Sequence, residues 1–500
     1  MQKEERAVNV WVAAAFIIYL GFIVGIGFIF SKKSSDMSDY FLGGRGMGSW
    51  LTALSAQASD MSSWLLMGLP GAVYISGLSA AWIAIGLGLG TYLNWRIVAK
   101  RLRKYSYITG DSITIPQFLQ NRFNAASVSV RIVCAAIIFV FFLIYTASGF
   151  NAAAKLIENV FGLDYKIGLT IGVIVIMLYT FMGGYFAVVW TDFFQGMLMF
   201  FALMIVPIIV YVSVDKGIFE TMAVSNSGYF SLFGAEGNRV SIQEIISNLG
   251  WGLGYFGMPH ILVRFMSIKS SSLIKKSRII AMVWVVITLA ASVAVGIIGF
   301  AYLKQEMIVL ESAAEAEKIF MKLVQMVAPA FIAGILLCAI VSAIMSTSDS
   351  QLLVTASAVS NDIYKTLFRK DAGNKELLFV SRLAVILISA VAYFIALDPE
   401  ATVMGLVSYA WAGFGAAFGP VMLFALFWKR MTMYGAIAGM LSGGVCVIVW
   451  NKFLAQSTGI YELVPAFIIS CVFIVIVSLI DKEPSKDVVE TFNKVSEIEI

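Results

Sequence analysis

The chain has 500 residues, 60% of them hydrophobic and only 13% charged, with a mean hydropathy of +0.88. So much apolar surface exceeds what a soluble core can hide, which excludes a water-soluble globular protein and indicates a polytopic membrane protein surrounded by lipid. The net charge of +5 is small and scattered through predicted loops; no basic stripe suggests nucleic acid, and loop charge is read as topology.

In chain order, apolar runs of spanning length predict about thirteen transmembrane helices and an all-α fold. They centre on residues 11–31, 50–72, 77–97, 127–150, 166–184, 193–214, 243–262, 279–303, 326–357, 377–396, 402–427, 434–450 and 461–480. The first is long enough to span and is followed by SKKSS instead of a small-residue cleavage site, so it is expected to stay as a leading helix. If the amino terminus is outside, the cytoplasmic connections collect Lys32, Lys33 and Arg45, the run 96–104 with Arg122 and Arg131, and the clusters 264–278 and 365–382. Lys429, Arg430 and the tail complete that side, which then holds most of the 35 Lys and Arg. The positive-inside rule therefore predicts an outside amino terminus and a cytoplasmic carboxyl terminus.

Inside the second run lies AQASDMSSWLLMGLPG (56–71), a polar patch that ends on Pro-Gly. Asp60 is expensive in hydrocarbon, so the patch must face protein or water, and Ser55, Gln57, Ser59, Ser62 and Ser63 offer groups to meet backbone freed by a break in the helix. A second interruption, LGWGLGYFGMPH (249–260), crowds Gly250, Gly252, Gly254, Gly257 and Pro259 into a spanning run beside Trp251 and Tyr255. Paired discontinuities at corresponding places in two halves point to an inverted-repeat secondary transporter that binds its cargo where the helices unwind. Glycine-rich helices also pack closely without any such role. On the transporter reading, 1–49 is a leading helix and loop, 50–214 and 243–427 are the two repeats, and 215–242 is an extracellular loop. Residues 428–480 form trailing helices, and 481–500 a cytoplasmic tail.

The ninth run contains AIVSAIMSTSDSQ, in which Ala343, Ser346, Thr347 and Ser350 recur at helical spacing and place hydroxyls and a carbonyl on one face. Such a face suits a hard cation; it equally suits Ser and Thr bonding the preceding turn. Cys134, Cys338, Cys446 and Cys471 lack CxxC spacing and read as packing residues, and the lone His260 reads as structural. No cofactor loop, nucleophile–base pair or metal cluster suggests an enzyme.

Five stretches carry a resemblance. They are YFLGGRGMGSWLTALSAQASDMSSWLLMGLPGAVYISG (40–77), LYTFMGGYFAVVWTD (178–192), WGLGYFGMPHILVRFM (251–266), GLVSYAWAGFGAAFGP (405–420) and FWKRMTMYGAIAGM (427–440). Through them the chain resembles the sodium:solute symporter family along nearly its whole length, most closely its proline-transporting branch. The resemblance implies a leucine-transporter-like core of five plus five inverted helices and electrogenic, sodium-coupled uptake of L-proline by alternating access. It implies Na+ held by the carbonyls of Ala58, Met61 and Ala343 and the hydroxyls of Ser346 and Thr347. Asp60, Asp192 and Asp349 are accessory candidates: the first for sodium affinity, the others for a further cation. Asp192 equally reads as an interfacial helix end.

A zwitterionic amino or imino acid needs freed N–H groups for its carboxylate, and carbonyls and aromatic faces for its cation. Ser62, Ser63, Trp64, Tyr145, Trp251 and Tyr255 are the candidates, and their apolar, aromatic character suits a pyrrolidine ring better than a sugar. Arg45, in GGRGMG before the broken run, is expected either to record topology or to form an inner gate. Other readings are a sodium symporter for another amino acid, a monocarboxylate or pantothenate, and a sodium-dependent sensor. The tail of about twenty residues is too short for a signalling domain, so a sensor would act through a separate partner. No obligate protein partner is evident in the sequence.

Overall fold

The structure is a computed structural model that describes residues 9–31, 42–125, 127–182, 184–225, 228–235 and 238–498. Lys32, Lys33, Tyr40, Phe41 and Gly183, used above for topology or resemblance, lie outside the described residues. Among the described residues the regular structure is helical apart from one antiparallel pair of two-residue strands, Gly234–Ala235 and Asn238–Arg239, in the loop the sequence placed at 215–242. This small pair corrects a strictly all-α expectation and leaves the class intact.

Length and composition give ten helices able to cross a membrane among the described residues, not the thirteen expected. The differences have local causes. Helical structure runs from Trp64 to Ile108 through a tight turn at Gly77, whose φ of 69° a residue with a side chain adopts poorly, so two expected spans merge. Tyr165–Met182 is short, and the segment 242–267 is broken into pieces each too short to count.

Burial shows where the centre lies. In Val403–Phe427, 83% of the most apolar window is buried, against 28% in Leu463–Ile480 and 33% in Val10–Phe30. The first of these is therefore a core helix. The other two turn large side chains such as Ile17, Phe22, Phe473 and Ile476 outward, as a lipid-facing surface requires. Against the core helix pack the two broken segments, through 64–68 and 251–257, and Ser129–Phe161; Ala330–Ser357 in turn packs on Ser129–Phe161 and on the helix 49–60. The run 96–104, expected in a loop, is the end of this helical structure: Ala99–Ile108 continues the third span and buries Leu102, Arg103 and Tyr105. The tail also folds, as an amphipathic helix Lys486–Glu497 that seats Phe492 against Arg101 and Arg122.

Candidate ion and substrate site

The first broken segment begins as the helix Ser49–Asp60 and stops at Met61, whose ψ of 72° turns the backbone out of the helix. It resumes in the π-turn Trp64–Gly68 and ends as Leu69–Ser76, with Pro70 in the first turn, where its missing N–H costs nothing. Local polar groups hold the break together. Ser62 donates its N–H to the Asp60 carbonyl at 2.9 Å and Trp64 Nε1 donates to the same oxygen at 3.2 Å. Ser292 Oγ, from Ile274–Gln305, donates to the Leu65 carbonyl at 2.7 Å. Asp60 is fully buried; its Oδ2 accepts a 2.7 Å hydrogen bond from Tyr255, while its Oδ1 has no partner among the described residues. Ser63 Oγ and Tyr145 Oη, both buried, are likewise without partners.

The second broken segment runs from Ile242–Gly250 through the 3₁₀ turn Trp251–Gly257 to Pro259–Ser267. Three glycines make it possible. A Cβ on Gly252 would overlap the Gly86 carbonyl, one on Gly254 the Trp411 indole, and one on Gly257 the Phe414 carbonyl. Its freed carbonyls are tied down: Trp411 Nε1 donates to Trp251 O at 2.8 Å, Asn94 Nδ2 to Tyr255 O at 2.9 Å, and Arg264 Nη1 to His260 O at 2.9 Å. Tyr255 packs edge-on against Trp411 with ring centres 5.1 Å apart. The Trp251 ring instead stacks on Tyr461 at 5.3 Å, so of these two aromatics Tyr255 is the one bonded to Asp60. His260 is fully buried between Phe142 and Tyr145, in the bundle interior and not in a loop.

The ninth segment brings most of the expected sodium ligands together. Ser346 Oγ lies 2.8 Å from the Ala58 carbonyl and 3.4 Å from that of Ala343, and the buried Thr347 hydroxyl, one residue on, has no partner among the described residues. Met61 stands where the first helix ends, on the same segment as Ala58. Oxygen-only donors of this kind fit a hard cation, since carbonyls and hydroxyls can replace a hydration shell without a dedicated carboxylate.

Arg264 is the residue that sequence reading misplaced. It was grouped with loop charges at 264–278, yet only 1% of it is exposed. Its Nη2 reaches Asp192 Oδ2 at 3.2 Å and Ser350 Oγ at 2.5 Å, and its Nε reaches Ser55 Oγ at 3.2 Å. Ser55 donates in turn to Asp192 at 2.6 Å. A guanidinium thus stands beside Asp192 Oδ2, while Oδ1 has no partner among the described residues, and Asp192 lies in the interior of the helix Tyr185–Ser213, not at an interface. Asp349 is fully buried one residue before Ser350, which contacts its Oδ1 at 3.5 Å; its Oδ2 has no partner among the described residues. The available signal was the setting of Arg264, a single charge inside the apolar run ILVRFM.

Arg45 ties three elements at one end of the bundle. Its Nε pairs with Asp111 at 2.6 Å, Nη1 donates to the Met266 carbonyl at 2.6 Å, and Nη2 donates to the Ser112 carbonyl at 2.9 Å. Burial pulls the guanidinium below its ordinary pKa and the Asp111 carboxylate counters that pull, so the group stays charged. With Asp111 57% exposed, the pair sits at the water boundary of this end.

A family model described as the sodium:solute symporter family matches residues 40–443. The chain belongs to the sodium:solute symporter family. It is 46% identical over 480 residues to the sodium/proline symporter of Escherichia coli strain K12, covering 96% of this chain and 95% of that protein. It is also 46% identical to the osmoregulated proline transporter OpuE of Bacillus subtilis strain 168, covering 94% of each. A solved Na+-coupled sialic acid symporter, 21% identical, superposes with a TM-score of 0.79 over 96% of this chain and all of that one. This symporter family member is a multi-pass membrane protein with the inverted-repeat fold that its paired broken segments predicted, and sodium is the coupling ion of its family.

Proposed function

We propose that this protein couples the inward movement of sodium to the uptake of L-proline by alternating access. The observation that carries the reading is the meeting of the two broken segments at Asp60 and Tyr255, beside an oxygen cluster that joins the first break to the ninth segment. Sodium held by the carbonyls of Ala58, Met61 and Ala343 and the hydroxyls of Ser346 and Thr347 cross-links the first break to that segment. It thereby fixes the shape of the adjoining substrate site. Proline's carboxylate meets backbone N–H groups and the hydroxyls of Ser62 and Ser63. Its ring lies among Trp64, Tyr145 and Tyr255, with Trp251 buttressing Tyr255 through Trp411. Asp60 holds Tyr255 and adds negative field near both ligands. The proline-transporting relatives support this substrate, as does the predominance of aromatic and short hydroxyl side chains over sugar-binding amides.

Zwitterionic proline carries no net charge, so each cycle moves the charge of the sodium. A potential of about 150 mV then contributes roughly 3.5 kcal/mol per charge. A tenfold sodium gradient adds about 1.4 kcal/mol. Loop charge supports an outside amino terminus and a cytoplasmic carboxyl terminus, and in that orientation the Arg45–Asp111 pair serves as an inner gate. Uptake of labelled proline into proteoliposomes tests the reading. Accumulation is expected only with an inward sodium gradient, and accumulation of equal size without sodium contradicts it.

A further inference from the structure

Below the Arg264 network lies a cavity of about 20 Å³, walled by Arg264 and Tyr185 together with Thr114, Ser357 and Asp362. The rest of the lining is apolar, with Ile113, Ile138 and Leu353 among it. This volume suits one water-sized particle, which needs about 10–15 Å³. Two residues of its wall carry an oxygen with no partner among the described residues: Ser357, only 4% exposed, at Oγ, and the fully buried Asp362 at Oδ2. A carboxylate oxygen only accepts, so burying it beside apolar side chains is costly unless a donor or a cation meets it.

The cavity also has a position that the ion site explains. Ser346, Ser350 and Ser357 fall at spacings of four and seven on one face of Ala330–Ser357, a stripe about 16 Å long at 1.5 Å per residue. Beyond Ser357 the helix widens into the π-helix Ala358–Phe368, whose i to i+5 repeat keeps Asp362 in line with Ser357. The other oxygen of Asp362 accepts from Arg131 Nε at 2.5 Å and from Thr114 Oγ1 at 3.2 Å. That pairing offsets most of the carboxylate charge, so the free oxygen attracts a cation without trapping it.

We propose that this cavity is a transit site for the coupling cation. Sodium leaving the Ser346–Thr347 cluster moves along this helix, past the Ser350 hydroxyl that Arg264 holds, and pauses between Ser357 Oγ and Asp362 Oδ2 before it reaches the water at the Arg45 end. A conducting path requires this balance, in which each site is favourable enough to enter and weak enough to leave. The proposal rests on the sodium-coupled reading above and adds to it a route and two ligands.

Ser357→Ala is the direct test, because it removes one ligand and leaves the Arg131–Asp362 pair in place. Three quantities are compared with wild type: sodium-dependent proline binding to the purified protein, net uptake under an inward sodium gradient, and proline exchange with saturating sodium on both sides. Binding and exchange do not require sodium to leave and are expected to stay within about twofold, while net uptake falls about three- to tenfold, the scale of one lost oxygen contact. Asp362→Asn, checked for folding by its thermal midpoint, is expected to show the same split. Unchanged net uptake in both variants overturns the transit site, as does a matching loss of equilibrium sodium affinity, which would make these residues part of the main site. If wild-type binding shows no sodium dependence, the sodium-coupled reading fails first and takes the transit site with it.

Discussion

The two broken segments solve the same problem with opposite chemistry. In 49–76 the helix is interrupted by polar residues, and the break keeps Gln57 Oε1, Asp60 Oδ1 and Ser63 Oγ buried without partners. In 242–267 the interruption is made by glycine, and the carbonyls of Trp251, Tyr255 and His260 are each held by a side chain from Trp411, Asn94 or Arg264. Unpartnered oxygens make the first break ready to bind. The second, whose unpartnered buried side-chain atoms among the described residues are the two ring nitrogens of His260, has its opened backbone held and serves chiefly as a scaffold. The first segment therefore supplies ligand chemistry, while the second fixes the shape around it and delivers one hydroxyl, that of Tyr255, to the carboxylate of the first.

This contrast predicts how each half fails. The largest effect is expected from Arg264→Ala, which leaves Asp192 buried without its partner; breaking such a pair costs about 3–5 kcal/mol. The purified variant is expected to lose much of its thermal stability, and a thermal midpoint equal to wild type would remove Arg264 from the scaffold. Next comes Gly254→Ala, which drives a methyl into the Trp411 indole, with overpacking of about 1–3 kcal/mol. Its expected signature is a lower thermal midpoint with sodium dependence retained in the protein that folds. In the binding half, Asp60→Asn keeps the shape and removes the charge, so it is expected to raise the sodium needed for half-maximal proline uptake with little change in thermal midpoint. A wild-type sodium titration contradicts the role given to Asp60. The most local effect is expected from Tyr255→Phe, which removes only the hydrogen bond to the Asp60 carboxylate and spares the fold. Proline binding at saturating sodium reads it directly.

Much of this was legible in the residues. The break at Asp60 shows because a carboxylate has no place in hydrocarbon, and the break at 249–260 shows because four glycines and a proline cannot continue a spanning helix unaided. The Ser346–Thr347 face follows from helical spacing alone. Arg264 was not legible as a core residue, since an arginine near the end of a span normally marks the cytoplasmic boundary, and only the folded chain reveals Asp192 and Ser350 beside it. The separate orientation of the Trp251 ring was hidden for a related reason. Its stacking partner, Tyr461, lies more than 200 residues away, and no local pattern announces that contact. The span count missed where a break splits a span or a tight turn joins two, because hydropathy records apolar length and not continuity.

The central claim is that sodium at the ninth segment organises the first break for proline, and the most direct measurement is calorimetric proline binding over a sodium series in wild type and Thr347→Ala. Thr347 contributes a hydroxyl with no other partner among the described residues, so its removal is expected to disturb little else. The account predicts that proline affinity rises with sodium in both proteins, that the variant needs several-fold more sodium, and that the two converge at saturating sodium, as reciprocal coupling requires. Superimposable sodium dependence in the two proteins would contradict it.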